Sequence, residues 1–180
     1  EMICPSHGPC LTEDIQKFEN LYRDWSTPVL HEKKTVGILY ASAYNYTAKL
    51  AEAAYEELKK NEKLDVRLVN VVFAPFAETA ALVNEADALL VGSCTINRDA
   101  PKVIWDMLAS VDAINTKQKP VGAFGAYGWS GEAVPMIKSR LEQLKFKFIG
   151  DGFKVVFSPT EADLAGMRAY ANEIVSNIKL

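Results

Sequence analysis

Two kinds of apolar pattern alternate along most of the chain. Short, mostly apolar runs are typical of buried strands. The sequence contains five such runs, namely TVGILY from Thr35, DVRLVNVV from Asp65, ADALLVGS from Ala86, KPVGAFGAYG from Lys119 and FKVVF from Phe153. Between and after them, apolar residues recur at helical spacing, which predicts helices over 50–58, 79–84, 101–111, 132–144 and 161–178. Strands separated by such helices pair in parallel through right-handed crossovers. The pattern predicts an α/β fold with a doubly wound, open five-stranded parallel sheet in the order 2-1-3-4-5.

The first 32 residues do not follow this alternation. One amphipathic helix is predicted over 14–25, with Thr12 as its N-cap and Pro28 as its stop. Its apolar stripe consists of Ile15, Phe18, Leu21, Tyr22 and Trp25. We therefore divide the chain into a segment 1–32 and a domain 33–180. Within the domain, Pro101 is predicted at the first position of a helix, where its missing N–H costs nothing.

Composition narrows the classes of function. A hydrophobic fraction of 49% in 180 residues allows a sizeable core, and a net charge of −3 argues against nucleic-acid binding. No apolar run approaches the roughly 20 residues of a membrane span, and no signal peptide is visible. The chain starts at Glu1 rather than Met, which is typical of a fragment. These features predict a cytoplasmic protein that binds neither membrane nor nucleic acid.

Three cysteines, an odd and low number, do not resemble a disulfide framework and fit a reducing compartment. In the segment CPSHGPC, Cys4, His7 and Cys10 are possible zinc ligands. A structural zinc site needs a fourth ligand at a matching spacing, and the other histidine, His31, has no cysteine near it. We therefore predict no metal site.

Three polar loops follow predicted strands 1, 3 and 4, where the strand order reverses and ligands bind in such sheets. The first, ASAYNYT, leads into a helix and contains no Lys or Arg. It lacks both G-x-x-x-x-G-K-[ST] and G-x-G-x-x-G, so it suits a phosphomonoester held by backbone N–H groups and by the hydroxyls of Ser42 and Thr47. The alternative is an ordinary turn in which Thr47 is only an N-cap.

The other two loops contain candidate residues for a flat ligand. SCTINRDAP offers the polar side chains of Ser93, Thr95 and Asn97, although it could simply cap the next helix. AYGWSGE contains Trp129, which can cover a planar ring. Alternatively, Trp129 is a surface anchor or an interface residue. The glycines at 125, 128 and 131 let a backbone approach a flat ligand closely.

From about residue 34 to 178 the chain resembles flavodoxins, and more closely the flavodoxin-like half of flavodiiron proteins, also called A-type flavoproteins. The marks are GSCTIN at 92–97 and GAYGWSGEAV at 125–134, similar to GSPT-x-N and GS-aromatic-GWSGEA in that family. CPSHGP at 4–9 is similar to the PSHGP near the end of the family's metallo-β-lactamase-like half. The departures are Asn45 in place of the glycine of simple flavodoxins, Cys94 in place of proline and Ala126 in place of serine.

The resemblance implies a flavodoxin-like domain with FMN as cofactor. It implies that the phosphate is held by Ser42, Ala43, Tyr44, Asn45, Tyr46 and Thr47. One side of the isoalloxazine would be lined by Ser93, Cys94, Thr95, Ile96 and Asn97, and the other by Ala126, Tyr127, Gly128, Trp129, Ser130 and Gly131. No catalytic residue is implied. His7 corresponds to the last histidine ligand of a diiron centre whose other ligands this chain lacks, so 1–32 is interpreted as a remnant of the upstream domain plus a linker helix.

The function implied is electron transfer, from rubredoxin, an NAD(P)H-dependent reductase or a reduced deazaflavin to a diiron site in the rest of the parent protein. That site would lie in a partner subunit of a head-to-tail homo-oligomer, and the parent would reduce oxygen or nitric oxide.

One alternative is a free-standing NAD(P)H:quinone oxidoreductase of the same fold. Another is a cofactor-free receiver-like domain, which lacks the required acidic cluster here because Ala41-Ser42 follows strand 1. Arg98 is interpreted as solvated rather than as a cation that raises the flavin potential.

Overall fold

The computed structural model describes residues 2–27, 32–116 and 118–178. The chain separates into two compact units, Glu1–Glu32 and Lys33–Leu180. The second unit contains the sheet and most of the buried apolar residues, and the two units are described in turn.

The second unit contains a parallel sheet whose strands are β1 (Lys34–Ala41), β2 (Leu64–Asn70), β3 (Ala88–Ser93), β4 (Pro120–Tyr127), β5 (Lys147–Phe148) and β6 (Phe153–Val156). The order is β2-β1-β3-β4-β5, and β6 also pairs with β4. In the register, Tyr40 lies opposite both Asn70 and Gly92, and Ala41 lies opposite Ser93. The predicted parallel α/β sheet and its strand order are confirmed.

The prediction of only five strands was wrong, because the edge position beside β4 is filled by two short strands in succession. Pro120 and Val121 of β4 pair with β5, while Phe124 and the residues after it pair with β6. Gly150 and Gly152, with φ of 65° and 86°, turn the chain between them. A strand of two residues has no periodicity of its own, so the hydrophobic pattern could not reveal it.

Five helices cover the two faces of this sheet, and they are α2 (Tyr46–Leu58), α3 (Phe76–Glu85), α4 (Lys102–Ala109), α5 (Ala133–Gln143) and α6 (Glu161–Ser176). One core cluster packs α3, α4 and α5 on one face, through residues such as Leu82, Ile104 and Ile137. The other packs α2 and α6 on the opposite face, through residues such as Leu50 and Ile174. Helices on both faces leave the carboxyl ends of the strands as the place where loops can meet.

Pro101 is not the first helical residue as predicted but the N-cap of α4, with φ −54° and ψ 144°. Its carbonyl accepts from the N–H of Ile104 at 2.9 Å. The prolyl ring is compatible with this extended ψ, and the helix starts one residue later than the sequence pattern indicates.

The first unit contains a short antiparallel bridge between Ile3 and Leu11 and the helix α1 (Ile15–Ser26). Thr12 was predicted as the N-cap, but Asp14 occupies that position with φ 53° and makes no side-chain cap bond. Tyr22 and Trp25 are largely exposed, and their rings meet edge-on with centroids 5.4 Å apart. The predicted stop, Pro28, lies outside the described residues.

Across the described ranges, no helix has both the length and the apolar character needed to cross a bilayer.

Candidate cofactor site

Three loops meet at the carboxyl end of the sheet. Loop 1 (residues 42–45) follows β1, loop 2 (94–101) follows β3 and loop 3 (128–132) follows β4. The N–H of Ala126 donates to Oγ1 of Thr47 at 3.2 Å, which ties the end of β4 to the start of α2. The N–H of Ala133 donates to Oγ1 of Thr95 at 3.4 Å, which ties loop 2 to the start of α5. Side chains of α2 and loop 2 thus fix the relative positions of all three loops.

The loops enclose a cleft of about 390 Å³. It is lined by Ser42, Ala43, Tyr44, Tyr46, Thr47, Cys94, Thr95, Ile96, Ala126, Tyr127, Gly128, Trp129 and Phe157. Every residue of this lining except Phe157 belongs to the set predicted from the sequence. None of these lining residues is Asp, Glu, Lys, Arg or His. Among the residues that the structure describes, the walls of the cleft are therefore uncharged.

Loop 1 presents free backbone donors at the start of α2. Asn45 is the N-cap residue and has φ 61°, a left-handed conformation that asparagine tolerates better than most residues. Among the described residues, no acceptor contacts the backbone N–H of Asn45, Tyr46 or Thr47. Ser42 Oγ accepts from the N–H of Ala48 at 3.3 Å, so its own proton is free to be donated. This helix terminus is therefore suited to an anion.

The alternative in which Thr47 is merely an N-cap was wrong. Thr47 is the second residue of α2, is only 1% exposed, and its Oγ1 accepts from the N–H of Ala126. Its hydroxyl proton can still be donated into the cleft. The side chain thus joins loop 1 to β4 and lines the cleft at once.

Of the site residues predicted at the end of β3 and in loop 2, Ser93 and Asn97 lie outside the cleft lining. Ser93 ends β3, is 1% exposed, and its Oγ donates to the carbonyl of Cys94 at 2.8 Å. Asn97 lies at the tip of a tight turn between Ile96 and Asp99, which exchange two backbone hydrogen bonds of 2.9 Å. The alternative that this loop caps the next helix is not supported, since α4 has no side-chain cap bond. Asp99 instead accepts from the N–H of Ala100 at 2.7 Å and from Trp105 Nε1 at 3.0 Å.

Cys94 lines the cleft as a half-buried thiol. Burial raises the pKa of the Cys94 thiol, and a hydrogen bond from the backbone N–H of Ala43 offsets only part of that shift. The side chain is therefore protonated near neutral pH. It acts as a small apolar residue of the wall rather than as a nucleophile.

Loop 3 places Trp129 at the rim of the cleft, where its side chain is 96% exposed. Tyr44 of loop 1 is also at the rim and is 82% exposed. Rings so exposed gain little from packing within the protein itself. They are instead available to cover the faces of a planar ligand.

Two of the three predicted glycines, Gly125 and Gly131, are required by contacts within the protein, while Gly128 lines the cleft. A Cβ on Gly125 would lie 2.0 Å from the carbonyl oxygen of Ser93, and one on Gly131 would lie 2.8 Å from the ring of Tyr127. Gly131 also has φ 69°. These two positions need glycine because protein atoms, rather than a ligand, occupy the adjacent space.

Phe157 was missed by the sequence analysis. It directly follows β6, has φ 56°, and donates its N–H to the carbonyl of Tyr127 at 2.8 Å. Its ring lies against Gly128 and lines the cleft, although it is 59% exposed. A bulky residue in the left-handed region is strained. The sequence signal was weak, because Phe157 is simply the last residue of an apolar run.

Ser130 and Glu132 form a polar pair beside the cleft. Ser130 Oγ donates to Glu132 Oε1 at 2.5 Å, and this bond, followed by one from the glutamate's own N–H, lowers the pKa of Glu132. Arg98 Nε lies 3.7 Å from the same oxygen. The Arg98 side chain is 86% exposed, in agreement with its interpretation as a solvated cation.

In the first unit, Cys4, His7 and Cys10 are all exposed. The Cys4 and Cys10 sulfurs are 3.3 Å apart. No three His, Cys, Asp or Glu side chains among residues 2–27, 32–116 and 118–178 are grouped closely enough to hold a metal ion.

The cleft fits FMN, whose parts are a phosphate, a ribityl chain and a flat three-ring head. Its volume lies in the range of roughly 300–1,000 Å³ that small-molecule sites occupy. Free N–H groups and the Ser42 hydroxyl suit the phosphate without a cation. The rings of Tyr44 and Trp129 suit the flat head, and the uncharged walls suit its apolar faces.

Comparison with known proteins also supports FMN as the cofactor of this cleft. The flavo-diiron protein FprA2 of Clostridium acetobutylicum is 34% identical over 181 residues, which cover 99% of this chain and 45% of that protein. The type A flavoprotein of Rhodobacter capsulatus is 34% identical, with coverage of 98% and 42%. The chain thus spans less than half the length of these relatives.

Structural comparison matches the chain to the flavodiiron core of Flv1 from Synechocystis sp. with a TM-score of 0.75 and 27% identity. The match covers 98% of this chain and 44% of that one. A family profile for flavodoxin matches residues 38–169. The chain therefore belongs to the flavodoxin family, as an FMN-binding, flavodoxin-like domain of the kind found in flavodiiron proteins.

Proposed function

We propose that this chain is the electron-transfer module of a flavodiiron-type oxygen or nitric oxide reductase, which takes electrons from a redox donor and passes them to a diiron site outside residues 1–180. The observation that supports this best is the cleft itself. Among the residues that the structure describes, its lining contains no Asp, Glu, Lys, Arg or His, and its rim residues Tyr44 and Trp129 are exposed. Such a site can hold a redox group near the surface, where a redox partner can approach it.

When bound, FMN supplies the redox chemistry by accepting and releasing electrons. The free N–H groups of α2 and the hydroxyls of Ser42 and Thr47 hold its phosphate and so fix its position along the cleft. Tyr44 and Trp129, at the rim, would be the residues available to cover its ring system. Among the residues that the structure describes, no cation lines the cleft. A negative charge on the reduced ring would therefore gain no direct ion pair, which favours a low reduction potential.

Glu132 and Arg98 affect this electrostatic environment little. Their charges are opposite and lie 3.7 Å apart, so their fields largely cancel at a distance. The Arg98 guanidinium is also well solvated. This ion pair therefore adds little net charge beside the cleft.

The residues 1–32 are proposed to be the end of a metallo-β-lactamase-like domain followed by a linker helix. Support comes from the CPSHGP segment and from relatives that are more than twice as long as the chain. The diiron domain of the parent protein, in a partner subunit of a head-to-tail homo-oligomer, is the proposed acceptor. Rubredoxin or an NAD(P)H-dependent reductase is the proposed donor.

Anaerobic stopped-flow spectroscopy of the FMN-loaded chain tests this function. Reduced rubredoxin should bleach the flavin absorption rapidly, while NADPH or NADH alone should bleach it slowly or not at all. The Trp129→Ala variant, loaded to the same extent, shows whether the exposed rim affects transfer. Rapid bleaching by a nicotinamide nucleotide alone would contradict the proposal and would favour the quinone oxidoreductase alternative.

A further inference from the structure

The N-terminal segment contains two thiols held face to face. Ile3 and Leu11 exchange both of their backbone hydrogen bonds, at 3.0 and 2.9 Å, so they form a hydrogen-bonded pair of an antiparallel ladder. Cys4 and Cys10 are the next residues along the two strands, toward the turn. An ideal antiparallel ladder continued by one pair from this isolated bridge would bring the Cα atoms of Cys4 and Cys10 to about 4.5 Å.

This position suits a disulfide. Disulfides join Cα atoms roughly 4.4 to 6.8 Å apart, with sulfurs at about 2.05 Å. The two Sγ atoms are already 3.3 Å apart, with the Cys10 thiol donating to the Cys4 sulfur. Rotations about the side-chain bonds of two exposed residues can close the remaining gap without moving a packed core.

The loop between the cysteines is restricted before any bond forms. Pro5 and Pro9 fix their own φ angles, and Gly8 has φ 102°, a conformation that glycine adopts readily. The two backbone hydrogen bonds between Ile3 and Leu11 close the base of the loop. Much of the entropy cost of bringing the two thiols together has therefore already been met in the reduced form, which favours ring closure.

We propose that Cys4 and Cys10 form a reversible intramolecular disulfide, which acts as a redox-sensitive clamp on the loop 5–9. The oxidant is a low-molecular-weight disulfide of the glutathione class. One protein thiolate attacks it to form a mixed disulfide and releases one small thiol, and the second protein thiolate then displaces the other. The protein thiols lose two protons and two electrons, and one small disulfide becomes two small thiols.

The bond clamps the exposed histidine of this loop. His7 lies at the centre of the five residues between the cysteines. A ring closed through Cys4 and Cys10 restricts the backbone on both sides of that imidazole. The oxidised form therefore presents His7 in a narrower range of orientations than the reduced form does. The clamp lies wholly in the first unit, and its test on this chain does not depend on FMN binding or on electron transfer.

Redox titration of the full 180-residue chain tests the clamp. The protein is equilibrated with graded ratios of reduced and oxidised glutathione, quenched with acid, alkylated and examined by intact and peptide mass spectrometry. The expected result is a single transition in which the chain loses two hydrogens and two alkylation sites, mapped to a Cys4–Cys10 cross-link. Addition of excess dithiothreitol should restore both sites.

Three variants serve as controls. Cys4→Ser and Cys10→Ser should each abolish the transition, while Cys94→Ser should leave it intact. In the oxidised wild type, amide hydrogen exchange at Ser6 to Gly8 should be slower than in the reduced form. Glutathione adducts without a cross-link, disulfide-linked dimers, a transition that survives Cys10→Ser, or unchanged exchange in the loop would each overturn the proposal.

Discussion

The backbone N–H of Ala126 donates to the side-chain oxygen of Thr47 across 3.2 Å, so the first turn of α2 is anchored to the end of β4. These residues are 79 positions apart in the sequence, and both are buried. The bond determines where the free N–H groups of α2 point. Binding of the cofactor phosphate therefore depends on a contact inside the protein as well as on loop 1 itself.

Replacing Thr47 with valine keeps the shape of the side chain but removes the acceptor. The buried N–H of Ala126 would then be unsatisfied, and we expect the free energy of unfolding of the FMN-free chain to fall by about 1–3 kcal/mol. Urea denaturation is carried out without FMN, because bound FMN would itself stabilise the folded chain and obscure this loss. Thr47→Ser keeps the hydroxyl and should lose less than Thr47→Val. Equal stability of Thr47→Val and the wild type would contradict the role given to this bond.

Trp129 should contribute to FMN binding while contributing little to folding. Its side chain is 96% exposed, so Trp129→Ala should change the free energy of unfolding by less than about 0.5 kcal/mol. Loss of ring stacking, worth about 0.5–1.5 kcal/mol, should raise the Kd for FMN about 2- to 10-fold. Flavin fluorescence titration measures that change.

Trp25→Ala is the matched control for Trp129→Ala, because Trp25 is also largely exposed but belongs to α1. It should leave the Kd for FMN unchanged. If both variants weakened binding equally, or if neither did, Trp129 would not be the residue that covers the flavin.

Phe157 should show strain in its backbone. A residue with a Cβ is costly in the left-handed region, by roughly 1–2 kcal/mol relative to glycine, and Phe157 has φ 56°. Phe157→Gly and Phe157→Ala both remove the ring, but the glycine variant should be more stable by about 1 kcal/mol. Urea denaturation of the two FMN-free variants gives the comparison, and a more stable alanine variant would contradict the strain.

Tyr170 should make the fold sensitive to alkali. Burial, the main cause, raises the pKa of Tyr170 above its ordinary value of 10.0, and its hydroxyl donates to the carbonyl of Ile149 at 2.9 Å. Because the pKa is higher in the folded state than in the unfolded state, the stabilisation is fully present below about pH 10 and declines as the pH rises above it. Tyr170→Phe should lack this contribution.

The difference in stability between the wild type and Tyr170→Phe isolates that effect from other titrating groups. Loss of the hydrogen bond should make the variant less stable by about 0.5–1.5 kcal/mol at neutral pH. Urea denaturation between pH 7 and pH 11 should show this difference shrinking above about pH 10. A difference that stays constant, or grows, over that range would contradict the prediction.

The main strands and most of the cleft could be predicted from the sequence, because periodicity reports burial and because parallel strands bring their carboxyl ends together. The strand order was predicted from a common arrangement of doubly wound folds rather than from the periodicity. The residues of loops 1 and 3 were recognisable since hydroxyls, glycines and a tryptophan after apolar strands are unusual. These signals are local, so a single sequence shows them.

What could not be predicted depends on contacts between distant segments. Phe157 reaches the cleft only because β6 pairs with β4 and ends beside Gly128. The bond from Ala126 to Thr47, and the displacement of Asn97 to a turn tip, likewise arise from how separate elements pack. The pairing of Cys4 with Cys10 depends on a bridge of one residue pair, which produces no periodicity.

The central claim is that uncharged donors at the start of α2 hold the phosphate of FMN. Parallel fluorescence titrations of the FMN-free chain with FMN and with riboflavin, which lacks the phosphate, test it most directly. Hydrogen bonds to a charged group contribute about 1.5–3 kcal/mol each, so FMN should bind at least about 10-fold more tightly than riboflavin. Equal affinities for the two flavins, or no binding of FMN at high excess, would contradict the claim.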